Sequence, residues 1–383
     1  MPRSLGLRRK EMSLLEKATQ IHWFFVVLIC LTAGIGFLML YSAANGSLDP
    51  WASRQMIRFG VGLVVMFAVA FVDIRFWMRA AYIIYLLAFA FLVGVEITGL
   101  SGMGAQRWVD LGVVQLQPSE MMKLALVIGL ARYFHGATLE QIGKPIFLVI
   151  PLAMIVAPAG LVLKQPDLGT AGLLILGGAA MCFLAGIKLW KFGVAFVLAL
   201  GAVPLAWGHL HGYQKTRILS FLNPELDPLG AGYHTLQSKI ALGSGGLFGK
   251  GYLQGTQSHL NFLPERQTDF IFTMLAEEFG MVGSVGLLTL YLALIAYGIA
   301  ISVRSTSRFG QLLGMGISTT FFLYVFFNVA MVMGLIPVVG VPLPLISYGG
   351  SAMMTLLVGF GLLLNVYVHR DVPIGRRVTS PAV

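Results

Sequence analysis

The chain has 383 residues, of which 57% are hydrophobic and only 11% charged, and its formal net charge is +10. Soluble domains carry about 25% charged residues, so a mean hydropathy of +0.83 excludes an ordinary water-soluble enzyme. The positive balance reads as attachment to an anionic lipid leaflet, and it calls for no nucleic-acid partner.

Apolar runs predict ten membrane-spanning helices, near 20–42, 57–72, 77–98, 119–134, 146–163, 168–186, 190–209, 269–302, 309–334 and 347–369. Most approach the ~20 residues needed to cross a ~30 Å hydrocarbon core, although the second, fourth and fifth are short. The expected fold is therefore an all-α, polytopic membrane protein. Lys and Arg concentrate in every second connection, at Arg8–Arg9–Lys10, Arg75, Arg79, Arg132, Lys144, Lys188, Lys191, Arg304, Arg308 and Arg370. By the positive-inside rule both termini are expected in the cytoplasm. On that reading residues 1–19 form a cytoplasmic segment, 20–371 a single transmembrane domain, and 372–383 a cytoplasmic tail.

The first run ends in "YSAANG" (41–46), which resembles a signal-peptidase site. Its apolar segment exceeds the ~7–15 residues of a cleaved signal core, so it is kept as a span. Cys30 and Cys182 lie inside predicted spans and read as small apolar packing residues, forming neither a disulfide nor a metal site. No zinc-ligand spacing, P-loop, G-x-G-x-x-G or G-x-S-x-G occurs anywhere.

The connections carry the polar chemistry. "GAQRWVDLGVVQLQPSEMMKLAL" (104–126) is a polar loop running into the fourth span, with Pro118 suited to the first helical position. Glu120 and Lys123 are three apart, hence neighbours on one turn. Two readings stay open: an ion pair that pins the helix end, or a phosphate-binding lysine oriented by its glutamate. Arg107 adds a cation beside Trp108, an amphipathic interfacial ring. "LKQPDLGTA" (163–171) reads as an outer turn built on Pro166 and Gly169, carrying Lys164 and Asp167.

Residues 210–268 form the one long connection, expected outside the membrane. It is rich in aromatic residues, and "YHTLQSKIALG" (233–243) places Tyr233, Leu236 and Ile240 on one face of a short interfacial helix. The glycines of "GSGGLFGKG" (243–251) permit tight turns or a mobile flap. "NFLPERQTDFIF" (261–272) then sets Glu265, Arg266 and Asp269 ahead of the eighth span. Thr268 is expected to cap that helix and Asp269 to fall in its first turn, where backbone N–H groups favour negative charge. Asp269 is thus either a dipole-stabilising residue or an ionised proton acceptor or cation ligand. Glu277 and Glu278 lie two turns deeper, where acidic groups are costly and mark function or a buried partner. "GLIPVVGVPLPLISYGGSAM" (334–353) is a broken stretch, tolerated at membrane depth only against protein or a water-filled cavity.

Taken together, "GLFGKGYLQGTQSHLNFLPERQTDFIFTMLAEEFG" (246–280), "QPSEMMKLAL" (117–126), "KQPDLGTA" and "PLPLISYGGS" resemble the SEDS family of shape, elongation, division and sporulation proteins. "GTQSHLNFLPE" is similar to the elongation (RodA) branch rather than the division (FtsW) branch. Gln267 departs from the His common there, which weakens any proton relay through that position. The resemblance runs from about residue 13 to 371. It implies a ten-helix glycosyltransferase polymerising lipid II, an undecaprenyl-diphosphate-linked disaccharide peptide, outside the cytoplasmic membrane. It also implies a class B penicillin-binding protein as partner and an Mre-type elongation complex as setting. The family's essential loop aspartate corresponds to Asp269, and its fourth-span motif falls on Arg107, Trp108, Glu120 and Lys123.

Chemically, glycosyl transfer from a lipid diphosphate needs a base for the acceptor hydroxyl and positive charge for the leaving group. Asp269 fits the first role. Lys123 with Arg217 or Arg107 fits the second, Arg266 helps hold the base or substrate, and Glu265 is structural. No cofactor is firmly implied, although a divalent cation bridging carboxylate and phosphate is an option. Two other classes stay open: a flippase or transporter for the lipid-linked precursor, and a non-catalytic scaffold docking a penicillin-binding protein.

Overall fold

The computed structural model describes residues 13–375, apart from 99, 103–104, 111–114, 210–211, 213–214, 217–218, 220, 222–230 and 260–264. Each of the ten expected spans is occupied by a helix. They are α2 (Trp23–Ala43), α3 (Ala52–Phe71), α4 (Ile74–Thr98), α5 (Pro118–His135), α7 (Pro145–Lys164), α8 (Leu168–Leu184), α9 (Leu189–His209), α12 (Ile271–Val303), α13 (Arg308–Val332) and α14 (Gly350–Val368). Short helices α1 (Leu14–Thr19), α6 (Leu139–Gly143), α10 (Ala231–Ser244) and α11 (Thr256–His259) lie between or ahead of them. Among the described residues, α2, α3, α4, α7, α12, α13 and α14 are long and apolar enough to cross a membrane.

The surface of this bundle is that of a membrane protein. Large apolar side chains such as Ile146, Val156, Phe196, Val197 and Leu292 are more than half exposed. Soluble monomers rarely tolerate contiguous apolar patches on that scale. One continuous core joins α2–α5, α7, α8 and α12–α14, with Phe25, Phe134, Tyr291, Phe309 and Phe360 fully enclosed.

The connection at 100–116 is not the plain loop the sequence suggested. It folds as a three-stranded antiparallel sheet, β1 (Leu100–Gly102), β2 (Ala105–Asp110) and β3 (Gln115–Leu116), with Leu100 opposite Trp108 and Val109 opposite Leu116. Alternation in "QRWVD" is too short for its period to stand out from a loop.

Caps mark where the helices start. Ser13 and Glu16 form a reciprocal capping box on α1, Thr138 and Gln141 one on α6, while Asp167 caps α8 and Ser307 caps α13. At the opposite ends, cations satisfy last-turn carbonyls: Lys17 donates to Phe71 O at 2.7 Å, Lys191 to Gly143 O at 2.8 Å and Arg308 to Ala185 O at 2.9 Å. Each places positive charge where the helix dipole is negative. All three lie at one end of the bundle, and the motif-bearing segments lie at the other.

The basic end also holds His369, the C-cap residue of α14, which is buried and donates through Nδ1 to Asn365 O at 3.0 Å. Burial pushes its pKa below the ordinary value, outweighing the opposing effect of that hydrogen bond. The folded protein therefore binds this proton more weakly than the unfolded chain, and stability is lost as pH falls through the unfolded value near 6.5. Thermal unfolding in detergent is expected at lower temperature at pH 5.5 than at pH 7.5, and His369→Gln is expected to flatten that dependence. An unchanged slope in the variant would assign the acid sensitivity elsewhere.

Candidate functional site

At the end opposite the basic caps, Pro118 opens α5 and places Glu120 and Lys123 on its first turns. Both are about 4% exposed, and Lys123 Nζ lies 2.7 Å from Glu120 Oε1. Tyr324 of α13 donates its hydroxyl to the other oxygen, Glu120 Oε2. The Lys123 ammonium also rests 4.3 Å from the centre of the Tyr324 ring, a cation–π contact. A buried pair holds together only when its remaining lone pairs and protons find partners. Here the phenol supplies one, and the ammonium retains further N–H donors beyond the one spent on Glu120.

These groups line one wall of a cavity of about 650 Å³, open mouth included. Its other walls are mostly apolar, with Leu124 from α5, Ile317 and Phe321 from α13, Met353 and Leu356 from α14, and residues 342–345 of the broken segment, interspersed with the hydroxyls of Thr320, Ser347 and Thr355. A cavity with one charged wall and several greasy ones suits an amphiphile carrying an anionic group.

Asp269 stands on the turn 265–270, one residue ahead of the N-cap of α12. This corrects the expected geometry. Thr268 does not cap the helix; its hydroxyl bonds back to the Glu265 carboxylate at 2.9 Å, and α12 begins at Ile271 without a side-chain cap. Left-handed backbone at Glu265 (φ 57°) opens a turn that runs on to Phe270, so the N-cap falls two residues later than the capping pattern suggests. The turn is then tied to the 334–349 segment. Ser347 Oγ donates to Thr268 O at 2.5 Å, and Tyr348 N to Gln267 O at 2.8 Å. Asn328, fully buried in α13, donates through Nδ2 both to Asp269 O at 3.0 Å and to Val341 O at 2.8 Å. A Cβ at Gly340 would lie 3.5 Å from Asp269 Oδ2, so the carboxylate packs against that segment. Ser347 lines the cavity and also holds the Asp269 turn, which makes the two features neighbours.

The expected site residues therefore separate into groups. Glu120 and Lys123 meet in the cavity. Asp269 and Arg266 share the adjoining turn, where partial burial lowers the Arg266 pKa from its ordinary value. A guanidinium still remains protonated at neutral pH. Arg107 and Trp108 fall on β2, with side chains outside the described residues, as is Arg217 altogether. Asp167, read as part of an ordinary turn, is buried as the cap of α8 and within electrostatic reach of Tyr324. Among the described residues no group of three or more His, Cys, Asp or Glu could hold a metal ion.

Sequence reasoning missed Tyr324 and Asn328. The signal was present: two polar-tipped residues four apart in an apolar run share a helix face, and one reaches Glu120 while the other reaches Asp269 O. Asn328→Leu is expected to remove the hydrogen bonds donated to the Asp269 and Val341 carbonyls, at about 1–3 kcal/mol. The thermal midpoint should fall and amide exchange at Phe270–Met274 should rise. Unchanged exchange there would mean that Asn328 does not hold the turn.

Comparison with known proteins now decides the family. The family model for cell cycle proteins of the FtsW, RodA and SpoVE type matches residues 22–372. This chain belongs to that family. It is 46% identical to the peptidoglycan glycosyltransferase MrdB of Escherichia coli over 343 residues, covering 87% of this chain and 91% of that one. It is 36% identical to a probable peptidoglycan glycosyltransferase FtsW of Alkalilimnicola ehrlichii, over 91% and 89% of the two chains. Among solved structures, a chain of a peptidoglycan synthase complex aligns with a TM-score of 0.79 and 33% identity, over 92% of this chain and 99% of that one. The rod shape determining protein RodA of Thermus thermophilus aligns with a TM-score of 0.69 and 29% identity, over 91% and 97%. The chain is a multi-pass membrane protein with the family's helical fold, and its relatives' names and fold identify it as a peptidoglycan glycosyltransferase of the MrdB/RodA type.

Proposed function

We propose that this glycosyltransferase polymerises lipid II at the outer face of the bacterial cytoplasmic membrane during elongation. Both termini would be cytoplasmic and the Asp269 end external. The positive-inside rule supports that orientation, since Lys17, Arg132, Lys191 and Arg308 gather at the opposite end. The observation that carries the chemical reading is the buried Glu120–Lys123–Tyr324 wall of a largely apolar cavity, beside the turn bearing Asp269.

In this mechanism the Asp269 carboxylate accepts the proton of the acceptor sugar hydroxyl as its oxygen attacks the anomeric carbon of the donor. The bond from that carbon to the diphosphate oxygen breaks, and undecaprenyl diphosphate departs. Lys123 stabilises the charge growing on the leaving oxygen in a site shielded from water. Glu120, itself held by Tyr324, keeps the ammonium aimed at the cavity. Arg266 holds the Asp269 turn or the acceptor, and Arg107, Trp108 and Arg217 are assigned to substrate binding on the resemblance alone. The apolar walls take the first part of the isoprenoid tail. Of the two carboxylates on the turn, that of Glu265 accepts from Thr268, so a divalent ion at Asp269 would need substrate phosphates to complete its ligands.

A class B penicillin-binding protein is the proposed crosslinking partner. Purified protein in liposomes, given labelled lipid II with and without such a partner, should produce a glycan ladder on a gel. Absence of a ladder in every condition, divalent metal included, would sink the polymerase reading and turn attention to a lipid-flipping assay.

A further inference from the structure

The glycine-rich segment 245–251 is built into the outer part of a spanning helix. α12 breaks at Gly280, whose backbone is left-handed in φ (65°) and extended in ψ (−158°). In an unbroken helix, Met281 N would donate to Glu277 O and Val282 N to Glu278 O. Here the segment takes all four groups. Lys250 N donates to Glu277 O at 3.0 Å and Gly251 N to Glu278 O at 3.1 Å, while Met281 N donates to Gly246 O at 2.9 Å and Val282 N to Leu247 O at 3.1 Å. The fit excludes side chains at two crossing points. A Cβ at Gly249 would meet Glu278 O at 2.1 Å, and one at Gly280 would meet Gly249 N at 2.3 Å. Side chains lock the same join: Glu277, fully buried, accepts from Lys250 Nζ at 2.8 Å, Thr256 Oγ1 at 3.1 Å and Gln257 N at 3.0 Å.

A segment so pinned is no free flap, yet its tip is apolar and bare. Phe248 is 80% exposed and Leu247 62%. Beside them, Met281, Val282 and Val285 continue the apolar surface along α12. Depth follows from helix length. Residues 281–303 alone span about 34 Å at 1.5 Å per residue, enough for a ~30 Å hydrocarbon core. The break therefore falls at the outer edge of the hydrocarbon. Tyr252 donates its hydroxyl to Leu38 O at 2.9 Å, and Leu38 lies about 7 Å below the Ala43 end of α2 at the same rise. Backbone at such depth is tolerated only when its polar groups are satisfied by protein, which is what the exchanged hydrogen bonds achieve.

We infer that residues 245–251 form a re-entrant membrane element whose Leu247–Phe248 tip inserts among the acyl chains of the outer leaflet. This rests on the membrane reading and not on the polymerase assignment. The ligand is the bilayer itself, recognised by an apolar tip next to a lipid-facing helix surface.

The test is a depth measurement on full-length protein in liposomes, with Cys30 and Cys182 replaced by alanine. Nitroxide labels are placed in separate variants at Phe248→Cys, at Leu292→Cys as a lipid-facing reference on α12, and at Lys188→Cys as a reference in the exposed basic connection. Phe248 contributes little to packing, so that variant should keep its thermal midpoint. Oxygen accessibility exceeding nickel-chelate accessibility at position 248, as at 292, is the expected result. A label at 248 that behaves like the one at 188 would overturn the proposal. So would a label immobilised and shielded from both reagents, because the tip would then be covered by protein.

Discussion

Asp269→Asn is expected to lower glycan polymerisation by about 10²–10⁴-fold, the usual contribution of a positioned general base, while leaving the folded protein intact. Asparagine matches aspartate in size, and the hydrogen bond from Asn328 at 3.0 Å goes to the main-chain carbonyl of residue 269, which the substitution leaves in place. The substitution therefore removes the proposed proton acceptor while keeping that support of the turn. The comparison requires wild type and variant at matched thermal midpoints, with the ladder quantified from single-turnover time courses. Full activity in the variant would eliminate Asp269 as the base. An equal loss of activity and of thermal stability would make its role structural.

The second large effect concerns the buried ion pair. Lys123→Met leaves the Glu120 carboxylate enclosed with the Tyr324 hydroxyl but without its cation. Breaking one side of a buried pair costs about 3–5 kcal/mol, whereas replacing both sides by neutral groups of similar volume is often close to neutral. The double variant Glu120→Gln, Lys123→Met should therefore recover most of the stability lost by Lys123→Met. It should recover none of the polymerisation, because the charge proposed to face the leaving diphosphate is still absent. Recovery of both properties would reduce the pair to a structural brace. That outcome would revive the ion-pair reading left open by the i, i+3 spacing alone.

These two experiments also separate the rival classes. A scaffold predicts that neither Asp269 nor Lys123 affects a lipid II readout. A transporter predicts that groups at the basic end matter as much as those in the cavity. At that end Lys17, Lys191 and Arg308 are engaged with helix-terminal carbonyls, so their loss should lower stability.

Much of this protein could be read without coordinates, because a bilayer imposes strong one-dimensional rules. Apolar length, alternating basic connections and prolines at helix starts are local properties, and the ten helices lie where they were expected. The Glu120–Lys123 pair was equally legible, since both partners belong to one helical turn. Less visible were features that depend on neighbours distant in the chain. Thr268 looked like a helix cap, but Glu265 captures its hydroxyl, and the turn is held instead by Asn328 and Ser347, both more than fifty residues away. Tyr324 completes a pair that lies 204 positions earlier.

The glycine-rich stretch makes the same point most sharply. Its composition spoke for freedom of backbone, and in isolation glycine confers it. In the folded protein that freedom is consumed by a close approach to α12 that leaves no room for a Cβ at Gly249 or Gly280. Composition and spacing thus settled the class, the spans and the family-bearing motifs, all set by solvation of individual segments. The cavity, the support of Asp269 and the interrupted helix arose from pairings across the bundle, because satisfying a buried polar group depends on which distant atom the fold brings within about 3 Å.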